Sequence, residues 1–488
     1  MSGLTRREAI GAATLGAAAL WTPPAAARRL QSRRVGVGIG RFRDGVASGE
    51  PGPRSITFWS RLRTDAPRSG ARLVVARDED MRRTVATRVV PTGRGVNGTL
   101  KARIGGLKPS TEYFYVWESG SDVSPVGRAR TLPHPTSEGP VQLAFSSCQH
   151  FARGHFSPHA HAAAQDLDLA VFLGDYIYAE RGRPVIGDAR FDGISANDLG
   201  SYRRKYQRYR TDAPLRELHR LHPSVHIWDD HEVENNYTDN RPAPSPLQRT
   251  AGYRAAFEWL PRRVDPRDRF RLYKRIPLGR TADLFLLDAR QYRTVDAENR
   301  PLRLLGDQQR QWLIDGLRAS RARWKIIANP VLVAPMDLGG GAWMDSWAGY
   351  DASRTSLLAE IEHARIDDVV VYTGDAHVFM VNALASDRES FRRDPGHRPT
   401  AIEYVSGSVT SPGAYRDPAD VHDRNPWNQY YNGVDHGYAH VSLDGGQLVT
   451  DYLRSDITRP DGVTLPLARF TQPAGVNRAF GFPTAPPT

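Results

Sequence analysis

The sequence predicts an α/β domain preceded by a small all-β sandwich, and three observations carry that reading. Between Phe42 and about Leu132, short runs alternate apolar with polar residues and are separated by Gly, Pro and Asp. From Val141 onward the runs become continuously apolar, as in strands covered on both faces, and segments of helical length separate them. Most of these later runs stop abruptly at Ser, Asp or Asn, which puts polar groups at strand ends.

The first element is an export signal. Thr5-Arg6-Arg7-Glu8 leads into an apolar run to Leu20 and then Ala25-Ala26-Ala27, the pattern of a cleavable signal over residues 1–27. Its apolar part, roughly a dozen residues, is too short for a hydrocarbon layer that takes about 20, so no permanent membrane span is expected. The Arg6-Arg7 pair before a weakly hydrophobic stretch resembles a twin-arginine signal. That resemblance implies a periplasmic or secreted protein and the twin-arginine export machinery as a partner.

Residues 40–133 read as the sandwich, with strand-like runs at Ser55–Trp59, Arg72–Ala76, Thr84–Val90, Leu100–Ile104 and Glu112–Glu118. The stretch Gly106-Leu107-Lys108-Pro109-Ser110-Thr111-Glu112-Tyr113 looks like the corner of a fibronectin type III or immunoglobulin-like domain. Pro133 to Pro140 is the linker. Residues 141–460 form the α/β domain, with runs at Val141–Phe145, Leu167–Leu173, Val225–Trp228, Leu284–Leu287, Trp324–Ala328, Val369–Tyr372 and Ile402–Val405. Residues 461–488 read as a proline-rich tail, on the surface or disordered.

Composition narrows the function. There are 66 Lys and Arg against 54 Asp and Glu, a net charge of +12, with the arginines scattered rather than blocked. This gives a general attraction for anionic substrates and no stable nucleic-acid complex. A single cysteine closes no intramolecular disulfide and rules out Cys-only zinc sites. The chain also lacks a Gly-x-Ser-x-Gly elbow, a Gly-x-x-x-x-Gly-Lys phosphate loop and a His-Glu-x-x-His helix.

Four strand-end clusters remain: Ser146-Ser147-Cys148-Gln149, Gly174-Asp175-Tyr176-Ile177-Tyr178, Trp228 through Asn236, and Thr373-Gly374-Asp375-Ala376-His377. Ligands in α/β sheets collect beyond the carboxyl ends of strands, where loops converge. These clusters supply thiolate, phenolate, carboxylates, amide and imidazole. Two cations need a bridging carboxylate to offset their repulsion, and Asp175 is best placed for it. Gly174 permits a tight turn before it, and Tyr178 lies three residues on, able to fold back. Thiolate with phenolate favours a trivalent or soft ion such as iron, whereas oxygen ligands suit calcium, manganese or magnesium.

These clusters look like the PhoD family, in which a sandwich precedes a calcineurin-like metallophosphoesterase domain, a pair of packed sheets flanked by helices. Trp228-Asp229-Asp230-His231-Glu232 with Asn235-Asn236 is the most specific match. The resemblance implies ferric iron (Fe3+) with calcium (Ca2+). Carried over by motif, Cys148, Asp175, Tyr178 and His377 hold iron, and Asp175 bridges to calcium with Asn235 and Asp375 as further ligands. Asp230 is assigned to metal, and Asp229 and His231 to catalysis, although which of the two aspartates reaches metal stays open at this stage. Arg241 is the candidate substrate-binding arginine. The implied activity is hydrolysis of phosphate monoesters or diesters, by attack of a metal-bound hydroxide or oxide, on small phosphate esters or organophosphate polymers. Two alternatives stand beside it: a phospholipase D-like phosphodiesterase acting on lipid headgroups, and a non-catalytic surface-binding protein with structural metals.

Overall fold

A computed structural model describes residues 38–483 apart from 186–189, 239–243, 297, 299 and 395. The export signal and Arg241 therefore lie outside the described residues.

The N-terminal strands form two antiparallel sheets. One runs in the order Thr84–Gly93, Arg68–Ala76, Glu112–Glu118, Gly127–Arg130. The other contains Val46–Gly52, Ser55–Arg61 and Thr99–Gly105. Alternation works as expected: Leu73, Val75, Tyr113, Tyr115 and Trp117 from the first sheet meet Ile56, Phe58, Leu100 and Ala102 from the second in one buried cluster. At the predicted corner the Tyr113 hydroxyl accepts the Lys108 N–H at 2.8 Å, which anchors the turn into the Tyr-rich strand.

The second of these sheets does not stop at its own edge. Val46–Gly52 pairs in parallel with Pro223–Ile227, Ser48 opposite Pro223 and Gly49 opposite Ser224. The three N-terminal strands thus extend a ten-stranded sheet through Pro223–Ile227, Leu169–Leu173 and Val141–Ser146 to Gly437–Leu443, Gln447–Ser455, Thr464–Pro473 and Phe480–Pro483.

A seven-stranded sheet packs on the other side. Its parallel centre is Ala282–Leu286, Trp324–Asn329, Val369–Thr373 and Ala401–Ser406. Phe145 stacks on Tyr372 across the two sheets with ring centroids 4.0 Å apart, and the Tyr372 hydroxyl meets Thr450 Oγ1 at 2.6 Å. Helices cover the outer faces. Leu199–Tyr209 starts at an Asp198–Ser201 capping box, while Ala213–Leu221 and Pro246–Trp259 start at Asp212 and Ser245 with proline in the first turn. Gly306–Ala319 buries Leu313, Ile314 and Leu317 on the opposite layer. Among the described residues, no helix is long and apolar enough to cross a membrane.

The C-terminal segment corrects one expectation. Instead of a surface or disordered tail, residues from Thr464 form a ten-residue strand paired antiparallel with Gln447–Ser455, and Phe480–Pro483 pairs onto it in turn. The alternation is hidden by a register shift at Tyr452 and Leu453, opposite Pro466 to Ala468, so Leu467, Ala468 and Phe470 are all buried while Leu465 is exposed.

Candidate functional site

Each of the predicted clusters begins where a parallel strand ends, and the turns are unusually tight. Cys148, Asp175, Asp375 and His377 have φ values of 58°, 53°, 61° and 58°. Non-glycine residues avoid this left-handed region because Cβ crowds the backbone, and such conformations collect at functional sites. Gly174 has φ of 113°, and a Cβ added there would lie 2.7 Å from Asp229 Cβ and 2.9 Å from Asp229 N. Its missing side chain lets the Asp175 and Asp229 turns sit against each other.

Two ligand groups result. A sulfur or oxygen or ring nitrogen from each of Cys148, Asp175 and His377 lies within 4.8 Å of the others, and the same holds for Asp175, Asp230 and His231. Asp175 belongs to both, as a bridging carboxylate must. Tyr178 completes the first group, its hydroxyl 3.0 Å from Asp175 Oδ2, 3.3 Å from His377 Nε2 and 2.5 Å from Ser411 Oγ. On the question of which neighbouring aspartate faces the group, the geometry favours Asp230.

The electrostatics call for cations. Burial pushes the Cys148 thiol, the Tyr178 phenol and the carboxyls of Asp175 and Asp375 well above their ordinary ranges, and neighbouring negative groups add to it. Burial raises Asp229 to about 6 against the pull of Arg290. Burial acts on Asp230 as well, but His231 and Arg290 overcome it and hold its carboxyl below the usual range. Asp175 Oδ1, Asp229 Oδ2 and Asp375 Oδ2 are buried without a hydrogen-bond partner. Asp283 and Asp368 also carry such an oxygen, but each pairs with an arginine far from this site, whereas here three orphans gather beside a thiol and a phenol, which fits bound metal.

Residues not assigned from sequence frame the site. The Glu232 carboxylate accepts the N–H groups of Tyr176 at 2.6 Å and Asp229 at 3.0 Å, tying two strand-end turns together. Arg290, fully buried, donates to Asp229 Oδ1 at 2.5 Å and pairs with Asp345 at 2.8 Å. Glu180 Oε2 accepts from His231 Nδ1 at 2.9 Å, and the His231 ring lies on Tyr178 at 4.1 Å. Asn235 and Asn236 both lie exposed at the rim, the Asn235 N–H on Glu180 and the Asn236 N–H on Asp230 Oδ2 at 2.7 Å; with its amide swapped end for end, the Asn236 side chain also donates to Asp230 and Asp345 at 3.1 and 3.0 Å. Arg290 had a usable signal, since Leu287-Asp288-Ala289-Arg290 also follows a buried strand. Asp345 had none, for it sits on a loop after Gly339-Gly340-Gly341.

Comparison with known proteins bears on the family and the fold. Residues 143–452 match the PhoD-like phosphatase family, and residues 28–133 match the PhoD-like phosphatase N-terminal domain. Alkaline phosphatase D of Bacillus subtilis (strain 168) is 33% identical over 453 residues, covering 84% of this chain and 77% of that protein. A solved structure of PhoD superposes with a TM-score of 0.82 at 30% identity, covering 92% of each chain. A purple acid phosphatase from yellow lupin (Lupinus luteus) seeds shares the fold at 13% identity, with a TM-score of 0.60 over 88% of this chain and 73% of its own.

Proposed function

The chain belongs to the PhoD-like phosphatase family and is a phosphoric ester hydrolase, and from that premise we propose that its two overlapping ligand groups hold iron and calcium at the place where a phosphate ester is hydrolysed. The observation that carries the reading is Asp175, shared by both groups and carrying an unpartnered buried oxygen. Cys148, Asp175, Tyr178 and His377 form the iron set, because thiolate and phenolate in one set suit a trivalent ion. Asp175 and Asp230 of the second group, with Asp375 and the side-chain oxygen of Asn235, form the calcium set, since hard oxygens suit that ion, and the imidazole of that group, His231, is kept for proton transfer. Bound cations supply charge neutralisation for the phosphoryl oxygens and lower the pKa of water.

The remaining work falls to the chain's own side chains. His231 gives its Nδ1–H to Glu180, which fixes the ring and leaves Nε2 to hold the proton that the leaving oxygen needs. Asp229 keeps one oxygen on Arg290 and leaves the other unpartnered, and it is assigned to catalysis beside His231. Arg241 is the proposed contact for a substrate phosphate oxygen. The net charge of +12 favours anionic esters, from small phosphate esters to organophosphate polymers. Export by the twin-arginine route is supported by Arg6-Arg7 and the mild apolar run behind them.

Metal analysis beside matched monoester and diester assays tests the reading, for the wild type and Cys148→Ala. Iron and calcium should both be found, and the variant should lose iron and hydrolysis together. Full hydrolysis by metal-free protein would overturn the proposal, while the ratio of the two rates separates phosphomonoesterase from phosphodiesterase. An Arg6→Lys/Arg7→Lys variant should leave unprocessed protein in the cytoplasm if the export reading holds.

A further inference from the structure

Four arginines are fully buried in the described structure: Arg210, Arg262, Arg290 and Arg293. Three of them face carboxylates, Arg262 with Glu50 at 4.0 Å, Arg290 with Asp229 and Asp345, and Arg293 with Asp345. Arg210 faces none. It follows the helix Leu199–Tyr209, is 1% exposed, and all three of its guanidinium nitrogens are buried without a hydrogen-bond partner. The helix C-terminus offers partial negative charge, but no carbonyl oxygen reaches the guanidinium.

Its surroundings do not supply a counter-charge. The acidic groups that act on Arg210 are Tyr176, Asp44 and Tyr115. Asp44 is already held by Arg61 at 2.9 Å and Arg63 at 2.6 Å. The Tyr176 hydroxyl is taken up by His219 Nε2 at 2.8 Å, and burial keeps the Tyr115 phenol protonated. On one side the guanidinium lies over the Trp59 ring, 4.5 Å from its centroid. The hydroxyls of Tyr115 and Ser48 face each other, and neither makes a hydrogen bond of good geometry. Buried charges are almost always paired, and buried hydroxyls almost always bonded.

We propose that a small monovalent anion of the halide class binds against Arg210, where the N-terminal sandwich meets the catalytic domain. The guanidinium supplies charge and donors, and the Tyr115 and Ser48 hydroxyls supply further donors. Arg210 is buried, so an ion bound against it sheds its water, which favours a singly charged ion over a phosphate dianion. Trp59, Ser48 and Tyr115 come from N-terminal strands and Arg210 from the catalytic domain, so the ion locks the joint between them. This inference does not depend on the proposed metals or on phosphoesterase activity.

Thermal unfolding at matched sodium concentration, with chloride exchanged for gluconate, gives the first readout. Because the ion binds only the folded chain, Tm should rise by about 2 °C per tenfold increase in chloride and stay flat in gluconate. The chloride slope should vanish in Arg210→Met and weaken in Ser48→Ala. Diffraction from wild-type crystals grown in bromide gives the second, with an anomalous peak expected against the Arg210 guanidinium. Ordered water alone at that position, or a chloride slope that persists in Arg210→Met, overturns the proposal. Should Arg210→Met fail to fold, the bromide experiment on the wild type decides by itself.

Discussion

Arg290 sits at 0% exposure against Asp229, with Asp230 at 3.7 Å and Asp345 at 2.8 Å; Asp345 is shared with Arg293, whereas Arg290 gives Asp229 its ion pair. Removing one partner of a buried pair leaves an uncompensated charge, so Arg290→Met should destabilise the protein by about 3–5 kcal/mol in urea unfolding. Glu180 acts differently, through His231. Glu180→Ala should lower kcat by about ten- to a hundredfold with little change in KM, and Glu180→Gln should restore part of it by keeping an acceptor for Nδ1–H. Equal losses in both variants would argue against an orienting role. Cys148, Asp175, Tyr178 and His377 were legible in the sequence because each follows a buried strand within a few residues. Arg290, Asp345 and Glu180 were less so, since their partners lie 61, 52 and 51 residues away along the chain.

Among the elements, the strand-to-turn transitions carry the site. A parallel strand delivers its last residue to a fixed place, and the left-handed residue after it turns the chain sharply there. Gly174→Ala tests this link, because the added methyl meets Asp229 main chain and side chain rather than a flexible tip. It should cost about 1–3 kcal/mol in stability and reduce iron content, measured together by thermal unfolding and metal analysis. The parallel strands were readable from their unbroken apolar runs, and the sandwich from its alternation. Thr464–Pro473 was not, since the shift opposite Pro466 breaks the two-residue period on which such a reading depends.

Across the whole molecule, charged joints connect the N-terminal strands to the rest. Glu50 lies at the end of Val46–Gly52 and bonds Lys274 and the Arg263 N–H. Burial acts to raise its pKa, but Lys274 and Arg262 hold it below 4.5. A carboxylate with a depressed folded pKa contributes stability above its unfolded value and loses it as pH falls through the folded one. Glu50→Gln should therefore be less stable than wild type at pH 7, with the gap closing as pH drops below 4.5. A gap of unchanged size at pH 3 would contradict this. Sequence showed two domains in series; it could not show that they share a sheet, because the pairing of Ser48 with Pro223 leaves no local trace.

That shared sheet has a consequence for synthesis. The strand Val46–Gly52 leaves the ribosome long before its parallel neighbour Pro223–Ile227, about 170 residues later, a delay of roughly 9–34 s at ordinary elongation rates. Through that interval the nascent chain carries an open strand edge with free N–H and C=O groups, the kind of surface that recruits other chains. Leading strands that must wait for a distant neighbour make slow translation a hazard, and make the span between Gly52 and Pro223 the stretch where a pause is most costly.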